Sequence, residues 1–273
     1  MLGGFLITAI ALLFDRKGRE GVHTLALFAS AVLILMLDSF VFSVMTGTQV
    51  PSGPAGEGVC AIGWTQGALS TGMLAAGAAA LFGGLGWMLA THAVNRVSGE
   101  DTDDASAYRF LAGLGGWITF AAAMAATLIL SETTIDYLRF MTDGRTPAWL
   151  VAAITTTSAI AVLVDFALVY LRTRVLRKSL SDNSEGTQLA LRSIKVATVG
   201  LVVLAIGATW LAVSLARLPK PWLTEPNVGV LIVVAALTFA VPTGVATAIC
   251  NSVASTEDRG WRGRRVQSRA TSA

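Results

Sequence analysis

Charge is scarce in this sequence. Only 14% of the 273 residues are Asp, Glu, Lys or Arg, whereas a typical soluble domain carries about 25%. With 54% apolar residues and a mean hydropathy of +0.66, the composition excludes a soluble globular domain, a disordered chain and a nucleic-acid-binding domain. Two cysteines, Cys60 and Cys250, are too few for a disulfide scaffold.

Motifs that carry enzyme chemistry are also missing. The chain has no His-Glu-x-x-His, no Gly-x-Ser-x-Gly and no Walker loop. Its two histidines, His23 and His92, lie at helix ends on one predicted side of the membrane, and no Cys/His cluster suits zinc. These absences argue against an enzyme, and we expect neither a metal nor another cofactor.

Long apolar runs dominate what is present. A helix needs about 20 apolar residues to cross a hydrocarbon core about 30 Å thick. Six stretches meet this requirement: 22–46, 62–92, 110–131, 148–171, 196–216 and 227–250. The sequence therefore predicts an all-α protein, a polytopic transmembrane helical bundle. Residues 1–254 form its single domain, and residues 255–273 form a polar, Arg-rich tail.

The segment from Met1 to Phe14 is a candidate for a seventh span. It is apolar all round and ends at Asp15-Arg16-Lys17. Fourteen residues cover only about 21 Å of helix, which is short for a span. The segment lacks the basic start of a signal peptide and the polar face of an in-plane anchor. We expect a short inserted helix, with a re-entrant or buried segment as the alternative.

The distribution of basic residues predicts the orientation. Cytoplasmic loops of membrane proteins carry an excess of Lys and Arg. With the C-terminus in the cytoplasm, sixteen of the twenty basic residues fall inside, and four fall outside: Arg139, Arg145, Arg217 and Lys220. We therefore expect a multi-pass protein of the cell membrane with a cytoplasmic C-terminus.

Interfacial residues agree with this topology. Amphipathic rings prefer the membrane–water interface, and the predicted outer interface holds Trp64, Tyr137, Trp149 and Trp222. Four basic residues directly follow the fourth span on the cytoplasmic side, where they would contact lipid headgroups: Arg172, Arg174, Arg177 and Lys178.

Asp38 is the first candidate functional residue, because acids within a membrane span are costly and often functional. No Lys or Arg shares its span. Polar residues in the outer halves of neighbouring spans would surround it, among them Gln66 and Ser70. Glu132 and Asp136 would form the rim of an outward-facing polar cavity that attracts a small solute or cation. The alternative is that Asp38 bonds to a hydroxyl and joins two helices.

Two further positions interrupt the apolar spans. Asp165 is a second acid within the bilayer, in the inner half of the fourth span. Pro242 lies in the last span, and its missing N–H leaves the carbonyl of Thr238 without its helical partner. The sequence predicts a kink near residues 238–244. This kink either serves as a hinge or is one of the irregularities that membrane helices tolerate.

Glycine marks two of the spans and allows close helix packing. The 62–92 span contains Gly67, Gly72, Gly77, Gly83, Gly84 and Gly86, and the next contains Gly113, Gly115 and Gly116. Besides the lipid bilayer, a second copy of the chain or another membrane protein would bind through these helices. Two functions remain open: a transporter or channel-like protein with Asp38 in its cavity, and a non-catalytic subunit or scaffold of a larger membrane complex.

Overall fold

A computed structural model describes residues 19–49, 52–97, 104–178, 184–215 and 228–252. These residues form helices and short turns, with no strand among them, which confirms the all-α prediction. The elements are α1 (Arg19–Thr46), α2 (Pro54–Val97), α3 (Asp104–Met141), α4 (Ala148–Lys178), α5 (Ser184–Leu215), α6 (Val228–Ala235), a π-helical segment (Ala236–Ala240) and α7 (Val241–Ser252).

Six stretches of helix are long and apolar enough to cross a membrane, as the sequence predicts. They are Thr24–Thr46, Gly56–Leu89, Gly113–Met141, Ala148–Leu171, Arg192–Leu215 and Val228–Ser252. The last of them combines α6, the π segment and α7. The protein is thus a multi-pass membrane protein. The predicted short helix at Met1–Phe14 and the tail at 255–273 lie outside the described residues.

The third span is longer than its apolar run indicates. It continues about ten residues past 131, to Met141, so Glu132 and Asp136 lie within the helix. Their charges face outward, while Leu130, Tyr137 and Leu138 are buried on the opposite side. The polar residues that end the apolar run in the sequence therefore belong to the exposed face of a continuing amphipathic helix.

A short turn connects α3 to α4. Asp143 and Gly144 adopt the left-handed conformation, with φ of 50° and 75°, and the Gly144 N–H donates to the Arg139 carbonyl at 2.8 Å. This arrangement satisfies a carbonyl at the end of α3 and stops the helix. The chain then reverses, and Pro147 immediately precedes the first residue of α4.

Helix α2 lies at the centre of the bundle. It runs antiparallel to α1, α3 and α5 and parallel to α7. Contacts further along α2 meet α1 and α3 nearer their starts and α7 nearer its end, and α5 is in turn antiparallel to α7. Side-chain hydrogen bonds from α2 to all four helices join Ser70 to Asp38, Thr65 to Tyr137, Gln66 to Ala212, and Trp87 to Ser252. The end of α1 at Thr46, the start of α2 at Pro54 and the end of α3 at Met141 therefore lie at the same end of the bundle.

Glycines allow the neighbours of α2 to approach closely. A Cβ atom built on Gly86 would lie 2.7 Å from the carbonyl oxygen of Gly115 on α3. On other sides of α2, Gly77 packs against Leu35 of α1, and Gly83 packs against Ile249 of α7. These glycines contact helices of the same chain. The partner contact predicted through the Gly-rich helices stays a prediction.

The last span is irregular just before Pro242. The Val241 N–H bonds to the carbonyl of Ala236, five residues back, and the preceding turn is π-helical. A wider turn of this kind accommodates a proline that cannot donate to the carbonyl four residues back. The backbone of Thr238 in this turn packs against Gly72, where a Cβ atom would lie 3.0 Å from its Cα. The irregularity at 236–240 thus overlaps the interval 238–244 in which the sequence predicts a kink.

Candidate functional site

Asp38 lies on the face of α1 that packs against α2, and only 8% of it is exposed. Its Oδ1 atom accepts a hydrogen bond of 2.5 Å from the hydroxyl of Ser70. The acid is eight residues from the end of α1, or about 12 Å along the helix axis. The structure therefore places a carboxyl group well inside the span, with one hydroxyl group bonded to it.

A groove of about 550 Å³ begins at this pair. We call it the Asp38 groove. It runs along α2 between α1 and α3, and Asp38 is the only acidic or basic residue among the described residues that line it. The lining residues used below are Asp38, Phe42 and Met45 of α1, Gly63, Trp64, Gln66, Gly67, Ser70, Thr71 and Leu74 of α2, and Thr133 of α3.

The groove opens on the side of the bundle. Cys60, Trp64, Leu74 and Phe82 are all exposed and follow one stripe along α2. Exposed apolar side chains at the depth of a membrane span contact lipid. Since three of these residues lie on or beside the groove, its mouth faces the lipid-exposed surface. A mainly apolar side groove thus occupies the place where the sequence predicts a polar cavity that opens at one end of the bundle.

Gln66 lines the groove and also forms a hydrogen bond to a neighbouring helix. Its Nε2 atom donates to the carbonyl oxygen of Ala212 on α5 at 2.9 Å, and 3% of the residue is exposed. Because this bond joins α2 to α5, the amide group is held at the back of the groove. Gln66 and Asp38 therefore line the same groove, and their joint role in binding a ligand stays a prediction.

Glu132 and Asp136 lie outside the groove lining. Both are exposed on α3, and Asp136 is 3.7 Å from Arg139 in a surface ion pair. On a helix, residues four apart share a face, so these two acids point the same way. Thr133, one position further along, is the residue of α3 that reaches the groove. The two acids that the sequence predicts at the rim of a cavity thus do not line this groove.

Asp165 forms a second buried site, on α4. The residue is fully buried, and no contact of its carboxyl oxygens meets the geometric limits of a hydrogen bond among the described residues, although the hydroxyl group of Thr247 is a weak hydrogen-bonding neighbour. Thr247 and Cys250 of α7 are the neighbours that interact with it. In the last span, nearer its start than Thr247, the hydroxyl groups of Thr238 and Thr243 are also buried without a partner in the described part of the chain. Unsatisfied polar groups of this kind call for a functional or structural explanation.

The sequence predicts Tyr137 at the outer membrane interface. Tyr137 is buried and its hydroxyl accepts a bond from Thr65, so it is not an interfacial residue, whereas Trp64 and Trp149 are exposed. Its position on the buried face of the extended α3 explains the difference. The side chains of the basic cluster at the end of α4 lie outside the described residues: Arg172, Arg174, Arg177 and Lys178.

Aromatic side chains form part of the walls of the groove, a feature that the sequence analysis does not predict. Trp64 stacks on Phe140 of α3 with ring centroids 5.1 Å apart, which fixes one wall. Phe42 and Met45 lie one and two turns beyond Asp38 and form the opposite wall. The spacing of 38, 42 and 45 on one helix face is a signal that the sequence does carry.

Comparisons with protein-family models, with curated proteins and with solved structures find no match to this chain.

Proposed function

We propose that this protein is a membrane transporter that binds a small cationic solute in the Asp38 groove. The observation that carries the proposal is a cavity at membrane depth with a single, buried carboxyl group in its lining. Its volume of about 550 Å³ falls within the range of about 300–1,000 Å³ typical of small-molecule sites.

Electrostatics favours a cation at this site. A carboxylate inside the membrane is costly unless a positive charge or several hydrogen bonds stabilise it. Among the described residues, Asp38 accepts one hydrogen bond, from Ser70 to Oδ1, and no basic residue lines the groove. A cationic solute would supply the missing charge, and an anion would be repelled.

Transport also requires a segment that can change conformation. The π segment and Pro242 interrupt the backbone hydrogen bonding of the last span, and this segment packs directly on α2 at Gly72. Residues that line the groove, Ser70 and Thr71, immediately precede Gly72. A hinge at Pro242 would therefore act on the helix that carries the groove.

The test is flux in proteoliposomes. The purified chain is reconstituted, and uptake of the fluorescent cation ethidium into DNA-loaded vesicles is recorded with a membrane potential imposed. Asp38→Asn keeps the side-chain shape and an acceptor for Ser70 but cannot become negatively charged. We expect it to reduce uptake to the level of empty vesicles.

Asp136→Asn is the matched control. It removes an exposed acid at the same end of the bundle, outside the groove lining. We expect uptake close to that of the unchanged protein. Equal uptake by the unchanged protein and Asp38→Asn, or no uptake above that of empty vesicles, would contradict the proposed function.

A second function is favoured by the exposed face of α4. This helix is the least buried span, and it carries three consecutive exposed threonines, Thr155, Thr156 and Thr157. Hydroxyls on a membrane helix are typical of contacts with another helix. Under this alternative the protein is a subunit of a larger membrane complex. The mass and composition of the complex extracted mildly from native membranes would reveal a fixed partner.

A further inference from the structure

We infer that the Asp38 groove takes an amphipathic amine from the lipid bilayer, with the protonated nitrogen at Asp38 and the apolar body along the exposed stripe of α2. This inference names a ligand class for the site of the proposed function and shares its groove. It concerns binding, however, and a binding experiment tests it separately from transport.

The floor of the groove is open enough for an apolar body. A Cβ atom built on Gly63 would meet no atom of the described residues within 4 Å, and one on Gly67 would first meet Met45 Sδ at 3.5 Å. The missing side chains at these two glycines leave the space that larger residues would fill. The groove is therefore a consequence of two small residues on the lipid-facing side of α2.

The walls suit an apolar and cationic ligand. Phe42, Trp64 and Leu74 are 53%, 46% and 53% exposed, so their side chains present apolar surface to whatever lies in the groove. Aromatic faces attract organic cations as well as apolar groups. An alkyl chain or ring system placed there would exchange contact with lipid for contact with these walls.

The carboxyl group retains one oxygen for the ligand. Ser70 bonds to Oδ1 of Asp38. The other oxygen, Oδ2, is not one of the fully buried polar atoms that have no hydrogen-bond partner. Asp38 lines the groove, and no other bond to its carboxyl group is found among the described residues, so Oδ2 is the atom that a ligand in the groove would contact. A protonated amine needs only one such acceptor, since its remaining N–H groups can bond to hydroxyls such as that of Thr71.

An inorganic cation fits the groove less well. Hard cations require six or more oxygen ligands, and no cluster of three His, Cys, Asp or Glu side chains occurs among the described residues. An amphipathic amine needs fewer polar partners, because it is already concentrated in the bilayer beside the mouth of the groove. Its head group would reach Asp38 about 12 Å below the end of α1.

The experiment compares three probes with the same apolar body and different head groups. The full chain in lipid nanodiscs is titrated with 12-bromododecylamine, 12-bromododecanol and 12-bromododecanoate, because bromine quenches tryptophan fluorescence at close contact. Trp64→Phe, measured in parallel, isolates the signal from the groove. We expect saturable quenching of Trp64 by the amine, with an affinity about tenfold or more above that of the alcohol.

Two variants test the site. Asp38→Asn should abolish the preference for the amine over the alcohol, while Asp136→Asn keeps it. Gly67→Leu should block all three probes, because the new side chain fills the floor and leaves Asp38 in place. Circular dichroism of each variant checks that the helices are intact.

Several results would overturn the inference. Equal affinities for amine and alcohol would exclude recognition of the charge, and an unchanged preference in Asp38→Asn would exclude this carboxyl group. If methylammonium displaces the bromoamine at similar concentrations, the apolar body contributes nothing and the ligand is a small cation. Amine binding without ethidium flux would contradict transport alone, whereas Asp38-dependent flux without amine binding would contradict this inference alone.

Discussion

One added methyl group at Gly115 should separate two helices at the tightest point of their contact. A Cβ atom at this position would lie 2.8 Å from the carbonyl oxygen of Gly86 and 3.1 Å from its Cα. Ordinary contacts between carbon atoms lie at about 3.5–4.0 Å. Both obstructing atoms belong to the backbone, so neither can rotate away, and α2 and α3 must move apart.

The expected cost follows from comparison with a second glycine on the same helix. Overpacking a well-packed interior costs about 1–3 kcal/mol, whereas Gly→Ala in a helix contributes about 1 kcal/mol in the opposite direction. A Cβ atom on Gly113 would meet no atom of the described residues within 4 Å. Since both alanine variants gain the same helix propensity, their difference in unfolding free energy isolates the packing term, about 1–3 kcal/mol.

Gly77→Ala provides an intermediate case on α2. Its Cβ atom would lie 2.8 Å from Cγ and Cδ2 of Leu35 and 3.0 Å from Cγ2 of Ile34, which are side-chain atoms that can shift more readily than backbone. We expect its stability to lie between those of Gly113→Ala and Gly115→Ala. Reversible unfolding in mixed micelles of increasing SDS content, followed by circular dichroism, measures all three. If Gly115→Ala unfolds at the same point as Gly113→Ala, the close contact does not exist as described.

Three other substitutions test the interior. Tyr137→Phe removes the 3.3 Å bond from Thr65 and should cost about 0.5–1.5 kcal/mol in the same unfolding titration; no change would mean that the bond contributes nothing. Asp165→Val removes a buried carboxyl group whose oxygens make no hydrogen bond of standard geometry, but it also removes the weak contact with Thr247. The stabilisation should therefore reach at most about 1–3 kcal/mol, while the isosteric Asp165→Asn should give none. Pro242→Ala restores a donor for the Thr238 carbonyl and should slow amide hydrogen exchange in this turn, and unchanged exchange would count against a proline-induced irregularity.

The number of spans could be predicted because it depends on a local quantity. A run of about 20 apolar residues crosses a membrane whatever surrounds it, and all six runs correspond to helices. The sequence predicts an end of the third span that is too early, because Glu132 and Asp136 look like the start of a loop, whereas the helix continues to Met141. In the structure they occupy one face of a helix whose opposite face is buried by tertiary packing, which a count of apolar residues does not detect.

The site could be predicted in part. Asp38 stands out as an acid in an apolar run, and Ser70 and Gln66 are polar residues at a similar depth on the next span. The direction in which the groove opens could not be predicted, because it depends on the rotation of α2 about its axis. That rotation places Gln66 toward α5 and Trp64 toward lipid, although the two residues are only two positions apart.

Glycine positions on α2 explain this rotation. Gly77 and Gly84 pack against α1, Gly83 packs against α7, and Gly86 packs against α3. Each small residue lets one neighbour approach, and together they leave a single stripe of α2 uncovered. Gly67 lies on that stripe, and among the described residues only Met45 of α1 comes within 4 Å of a Cβ atom built there. The same kind of residue that closes the bundle on three sides of α2 therefore opens the Asp38 groove on the fourth.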